Sequence, residues 1–333
     1  MSRASWLPVV LALAAAAPAA ADRLAARAAG DDAPIVWRDD AGFRVERGGR
    51  STRLALPAGA AIEQVVAAGA GWVATGTRPA GDRLDLFLVQ QTAAGMIELP
   101  PPGDPVARFR EQPAPVVAGN ALAGVAWLEG ADRQSYGVRF APWLGAGFGA
   151  PLEIAPSGPG SQLALSATAL DDGRTLLVWS AFDGEDDEIH ASVGSGPTWT
   201  KPTIVGVANG VPDITPVAVA VPGGALIAWS RFDGNEYRVT LAKFDGQRFQ
   251  EIGEPGAPGS IDPSFVAGGA TPRLLWYDAR SDAWVLSEIA ADGRQSERAR
   301  IAGPNDDPPA VAVTGGRATF RFGDRVAEAP LAR

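Results

Sequence analysis

Residues 176–193 read LLVWSAFDGEDDEIHASV, and residues 226–243 read LIAWSRFDGNEYRVTLAK. Each is an apolar run ending in Trp, then a polar loop, then a second alternating segment. Two further stretches follow the same plan: LLWYDARSDAWVLSEI at 274–289 and GVAWLEGADRQSYGVRF at 124–140. Apolar alternation at period two marks half-buried strands, and the Asp-Gly pairs are hairpin turns. The tryptophans stand at 127, 179, 229 and 276, so the unit repeats every 52, 50 and 47 residues. A repeat of that length built from strands alone predicts an all-β fold, a β-propeller of four-stranded antiparallel blades.

One blade can be written out from the sequence. Residues 215–221 form an inner strand, 225–232 a second, 237–244 a third and 248–252 an outer one. Pro222, Gly223 and Gly224 make the first turn. The second strand is apolar throughout, as stacking between two neighbouring blades demands. The same plan recurs around Trp37, around Thr75 standing at the Trp position, and around Phe320. Seven hairpins give seven blades, or six if the two incomplete ends merge into one. The first blade lacks an inner strand and the last an outer one. Pairing of the chain ends is expected to close the ring, because closure removes exposed edges.

Outward from the repeat, residues 1–21 read as a secretory signal peptide. Arg3 precedes an apolar stretch from Leu7 to Ala17, and Ala19, Ala20 and Ala21 offer a cleavage site of small residues. Residues 22–333 then form a single propeller domain, secreted or periplasmic, with no membrane span after cleavage.

The chain has no Cys and a single His, His190. Cysteine zinc sites, thiol nucleophiles and multi-histidine metal sites are therefore excluded. No cofactor and no metal is expected. The net charge of −9 argues against nucleic acid as a partner.

In a propeller, the loops between second and third strands share one face with the interblade loops. Here they carry Asp183, Asp187, Glu188, Arg231, Asp233, Glu236, Asp278 and Arg280. Three uses fit such residues. Asp, Asn and Gly build turns. Arginines can hold a carboxylate or a sugar while acids accept hydroxyl protons. DGEDDE at 183–188 offers oxygen ligands, yet it does not match a calcium loop. His190 next to these acids could sense pH or simply be a half-buried histidine. The recurring tryptophans read as packing, whereas Trp143 and Trp284 break the pattern and are the candidates for exposed aromatics.

Residues 192–199 read SVGSGPTW. This resembles the Asp-box of sialidase-like propellers, with Ser192, Gly196, Thr198 and Trp199 at the matching places and Gly194 where the family has aspartate. The resemblance implies a turn between third and fourth strands, on the face away from any active site. It implies the fold and no catalytic residue. Sialidases use an Arg-Ile-Pro segment, an arginine triad and a tyrosine nucleophile. This chain has no Arg-Ile-Pro, and Tyr136, Tyr237 and Tyr277 do not map onto that nucleophile.

These readings point to an exported, monomeric, non-catalytic propeller that binds or scaffolds a protein or glycan partner. The alternative is a sialidase-like glycoside hydrolase using carboxylates at the channel mouth, since two carboxylates suffice for that chemistry.

Overall fold

A computed structural model describes residues 28–29, 34–39, 42–47, 50–103, 109–157, 160–182, 184–266, 271–306 and 308–332. Residues 1–21, read from the sequence as a signal peptide, and Asp183 lie outside these residues.

Seven sheets form the seven blades of a propeller. Blade 5 runs Asp213–Val221, Gly224–Phe232, Tyr237–Phe244 and Phe249–Gly253 from the inside outward. Blades 2, 3, 4 and 6 repeat this order, and blade 4 splits its outer strand into Thr198–Trp199 and Thr203–Ile204. Blade 1 has three described strands, Ile35–Asp39, Gly42–Arg47 and Arg50–Arg53, and no inner one. Blade 7 has Ala310–Thr314, Arg317–Phe322 and Arg325–Pro330. Its sheet gains Ala28–Ala29 on the inner side, paired in parallel with Ala310–Thr314. The two chain ends thus close the ring, and the six-bladed arrangement does not occur.

The large aromatic of the second strand explains the repeat. Trp179 packs with Tyr136, Val138 and Phe140 of blade 3. Trp229 packs with Ile189 and Val205 of blade 4, and Trp276 with Leu226 and Leu241 of blade 5. Trp127 reaches Leu86 and Leu88 of blade 2, and Phe320 reaches Leu275 and Trp284 of blade 6. Each therefore faces the preceding blade. At roughly 25 cal/mol per Å² of apolar area removed from water, such rings supply much of the energy that holds blade to blade.

Thr75 departs from this plan. It faces blade 3, where its hydroxyl donates to the Pro113 carbonyl at 2.7 Å. Trp72 makes the packing contact with blade 1 instead.

The residue after the Trp also has a fixed task. Ser180 Oγ donates to the Asp213 carbonyl of blade 5 at 2.9 Å. Ser230 Oγ accepts the N–H of Asp262 from blade 6 at 3.0 Å. Alternation along the strand makes this inevitable, since Trp and Ser point to opposite faces.

Each inner strand of blades 2 to 6 carries an irregularity near its start. In four of them one residue takes a positive φ: Gln112, Ala164, Thr215 and Asp262. Three of these precede proline, at 113, 216 and 263. Proline has no N–H to donate and so suits a bulge.

Candidate functional site

The inner strands begin, and the second strands end, on the face that carries the hairpin loops. Asp213 pairs with Arg231 there, and Ser260 with Asp278. Every residue that the sequence singles out for binding and that is described lies on this face. They do not converge on one pocket but form separate clusters.

Arg231 anchors the first cluster. Its Nε donates to Asp213 Oδ1 at 3.1 Å, and its Nη2 to Asp213 Oδ2 at 3.2 Å and to Glu251 Oε1 at 2.7 Å. Its Nη1 donates to Glu251 Oε2 at 3.1 Å. The guanidinium also lies 5.3 Å from the Trp229 ring. Its donors are committed inside the fold. Glu188 stands nearby, buried, accepting the Asn209 N–H at 2.8 Å. Burial pushes the Glu188 and Asp213 carboxyls up, while hydrogen bonds from Arg231 hold Glu251 down.

Glu236 and Arg280 join blade 5 to blade 6, with Arg280 Nε donating to Glu236 Oε2 at 3.2 Å. Asp278 takes the hydroxyl of Ser281 and the Nη1 of Arg300, both at 2.7 Å. Asp233 builds a turn. It accepts the N–H groups of Asn235 and Glu236 at 3.0 Å, and Arg238 Nε at 2.9 Å. Asp187 starts the third strand of blade 4, 3.4 Å from Ser180 Oγ. No group of three or more metal-ligating side chains gathers among the described residues.

The aromatic expectations divide. Trp284 is fully buried, its Nε1 donating to the Pro304 carbonyl at 3.1 Å. It packs between blades 6 and 7 and is not exposed, because the third strand is covered on both faces. Trp143 is half-buried and meets Phe148 edge-on at 4.8 Å. His190 is half-buried, its ring 6.2 Å from that of Trp179.

The exposed apolar side chains of this face were not singled out. Phe182, at the end of its strand, is 39% exposed, and Leu163 on the adjacent inner strand is 38% exposed. Val207, in the loop entering blade 5, is 67% exposed. Phe232 repeats the Phe182 position and stacks at a tilt on Tyr237, 5.2 Å between centroids. The signal is present in the sequence as Trp-Ser-x-Phe-Asp-Gly, at 179–184 and again at 229–234.

A buried carboxyl was also missed. Glu63 sits in the irregularity of the blade 2 inner strand, where Thr77 Oγ1 donates to its Oε1 at 3.0 Å. Burial pushes its pKa up to about 8, and the charge of Glu111 adds to the rise.

The octapeptide at 192–199 forms the turn between third and fourth strands of blade 4. Ser192 Oγ donates to the Thr200 carbonyl at 2.8 Å, and Trp199 Nε1 to the Gly196 carbonyl at 3.2 Å. Gly196 takes φ 54°. A Cβ at Gly194 would stand 2.2 Å from the Trp199 ring, so no aspartate fits there while Trp199 keeps its place against Phe140.

No protein-family model matches the chain, and no curated protein matches it. Solved structures do. An ulvan lyase of polysaccharide lyase family PL25 aligns with TM-score 0.56 at 8% identity, over 93% of this chain and 95% of the lyase. The sialidase of Trypanosoma rangeli aligns with TM-score 0.52 at 13% identity. It shares its fold with this chain. The alignment covers 90% of this chain and 57% of the sialidase. TolB from Acinetobacter baumannii gives TM-score 0.50 at 13% identity, over 80% of this chain and 63% of TolB. At these identities the likeness is one of fold.

Proposed function

We propose that this chain is an exported, non-catalytic propeller that binds a protein or glycan partner on its hairpin face. One observation carries the reading. The arginines expected to grip a ligand are already paired with carboxylates of the chain, Arg231 largely buried and Arg280 at the surface, whereas Phe182, Leu163 and Val207 are presented to water. Paired charges act as struts, and exposed apolar groups supply the contact area that a partner would bury. Export rests on the leader-like residues 1–21.

The test is direct binding. The protein is immobilised and probed with a glycan array and with proteins from the same cell envelope. Saturable binding should appear, should fall in Phe182→Ala/Phe232→Ala, and should leave the glycan intact by mass spectrometry. Cleavage of a bound glycan would overturn the reading.

A further inference from the structure

Blade 2 ends on the strand Gly95–Leu99, the last in its sheet. Met96 and Ile97 are neighbours on it, 40% and 50% exposed. The other outer strands guard their edges in the ways natural sheets do, by charge, proline or interruption. Blade 1 carries Arg50 and Arg53 there, and blade 6 carries Arg298 and Arg300. The outer strand of blade 7 closes on Pro330, and that of blade 3 lies between Pro151 and Pro156. Blade 4 breaks its edge around Lys201 and Pro202, and blade 5 stacks Phe249 on Phe244 at 4.7 Å. The edge of blade 2 has none of these devices.

The register says what this edge offers. The third strand, Arg83–Thr92, turns through Ala93 and Ala94, so Thr92 and Gly95 are the hydrogen-bonded pair that flanks a two-residue hairpin loop. Bonding alternates from there. Gln90 and Ile97 bond to each other, while Met96 and Glu98 turn N–H and C=O outward. A second copy running antiparallel and centred on Ile97 sets its Glu98 across from Met96. Both residues point their backbone groups into the gap, so each such pair can exchange two hydrogen bonds. Ile97 meets Ile97 of the second copy. The two Glu98 side chains never stand opposite one another, and Arg78 pairs each within its own chain at 2.6 Å.

Charge favours the same place. Two molecules of net charge −9 repel, and they approach most easily where neither carries charge. One residue in five of the chain is charged, yet segments 64–77, 86–97, 112–128 and 140–152 have no Asp, Glu, Lys or Arg. Their turns cover the ends of blades 2 and 3 opposite the hairpin face.

We infer that the chain forms a two-fold dimer in which the Gly95–Leu99 strands pair antiparallel about Ile97 and join the two blade 2 sheets into one. This replaces the monomer expected from the sequence. The contact lies on the rim, so it leaves the hairpin face open.

Sedimentation velocity over a range of concentrations tests it. A concentration-dependent dimer should appear, and salt should strengthen it by screening the repulsion. Its dissociation constant should rise at least tenfold in Ile97→Lys, which puts a charge on the edge. It should rise similarly in Met96→Pro, which removes an outward N–H and no bond to the third strand. A third variant reads the register. The chain has no cysteine, so Ile97→Cys brings the only thiols. Non-bonded antiparallel pairs stand about 4.5 Å apart at Cα, within disulfide reach. Mild oxidation should link Ile97→Cys into a covalent dimer and leave Val326→Cys, exposed on the outer strand of blade 7, unlinked. A monomer at every concentration, a dimer that salt dissolves or the variants leave intact, or equal linking at both positions overturns the inference. So does a monomer that binds zwitterionic vesicles through Ile97, because lipid would then be what covers the edge. Ile97→Lys should still bind a partner on the hairpin face, so this inference and the binding role can fail separately.

Discussion

Gln112 and Leu165 stand 53 residues apart, and the side-chain carbonyl of Gln112 accepts the Leu165 N–H at 3.0 Å. Leu165 follows Ala164, which takes φ 50°. In blades 3, 5 and 6 the residue after the positive φ is proline. Blade 4 has an N–H at that place, and blade 3 supplies the acceptor. Gln112→Ala removes it, and a buried donor left alone costs about 1–3 kcal/mol. Guanidinium unfolding should show that loss. An unchanged midpoint would mean that water replaces the amide.

Gly194→Asp would restore the residue that the sialidase-like box carries, and it should destabilise the protein. The added Cβ meets the Trp199 ring at 2.2 Å, so the indole must leave Phe140. Overpacking of this kind costs about 1–3 kcal/mol or more. A lowered Tm checks it. Adding Trp199→Ala to Gly194→Asp should recover part of the loss, because the clash is then gone.

Glu63 should make stability fall as pH rises. Its folded pKa of about 8 exceeds the ordinary glutamate value of 4.5, so between those pH values the folded state holds a proton that the unfolded state has released. Stability therefore declines from about pH 4.5 to about pH 8, by a few kcal/mol at most, and levels off above. Glu63→Gln should flatten the dependence and raise stability at pH 8. Urea midpoints across that range give the answer.

Arg231→Met should be among the most damaging single changes. It strands Asp213 and Glu251, which share this guanidinium. Breaking a largely buried ion pair costs about 3–5 kcal/mol. The loss should shrink at pH 4, where the stranded carboxyls take up protons. By contrast, Arg280→Ala removes a solvent-exposed pair with Glu236 and should cost under about 1 kcal/mol.

The ring was legible because Trp179, Trp229 and Trp276 recur where one blade must meet the one before it. The strand bounds of blade 5 could be read to within two residues at either end for the same reason. Thr75 was misleading because blade 2 replaces the buried ring by Trp72, three residues earlier, a swap that no local pattern announces. Trp284 looked free because it breaks the repeat, yet a third strand is covered on both sides. The polar hairpin residues could be placed on their face but not paired. Arg231 finds Glu251 across two strands, and Arg280 finds Glu236 in another blade. The Phe182 and Phe232 repeat was readable, but its exposure depends on where the strands end.

Ala28–Ala29 makes the only parallel pairing among the described strands, with a partner strand that begins at Ala310. Arg321 Nη2 and Glu46 Oε2, 3.0 Å apart, are separated by 275 residues. A ribosome releases residue 28 long before residue 312, so an emerging chain can stack blades in order but cannot lock. Until the last blade is made, the molecule is an open arc with two raw sides.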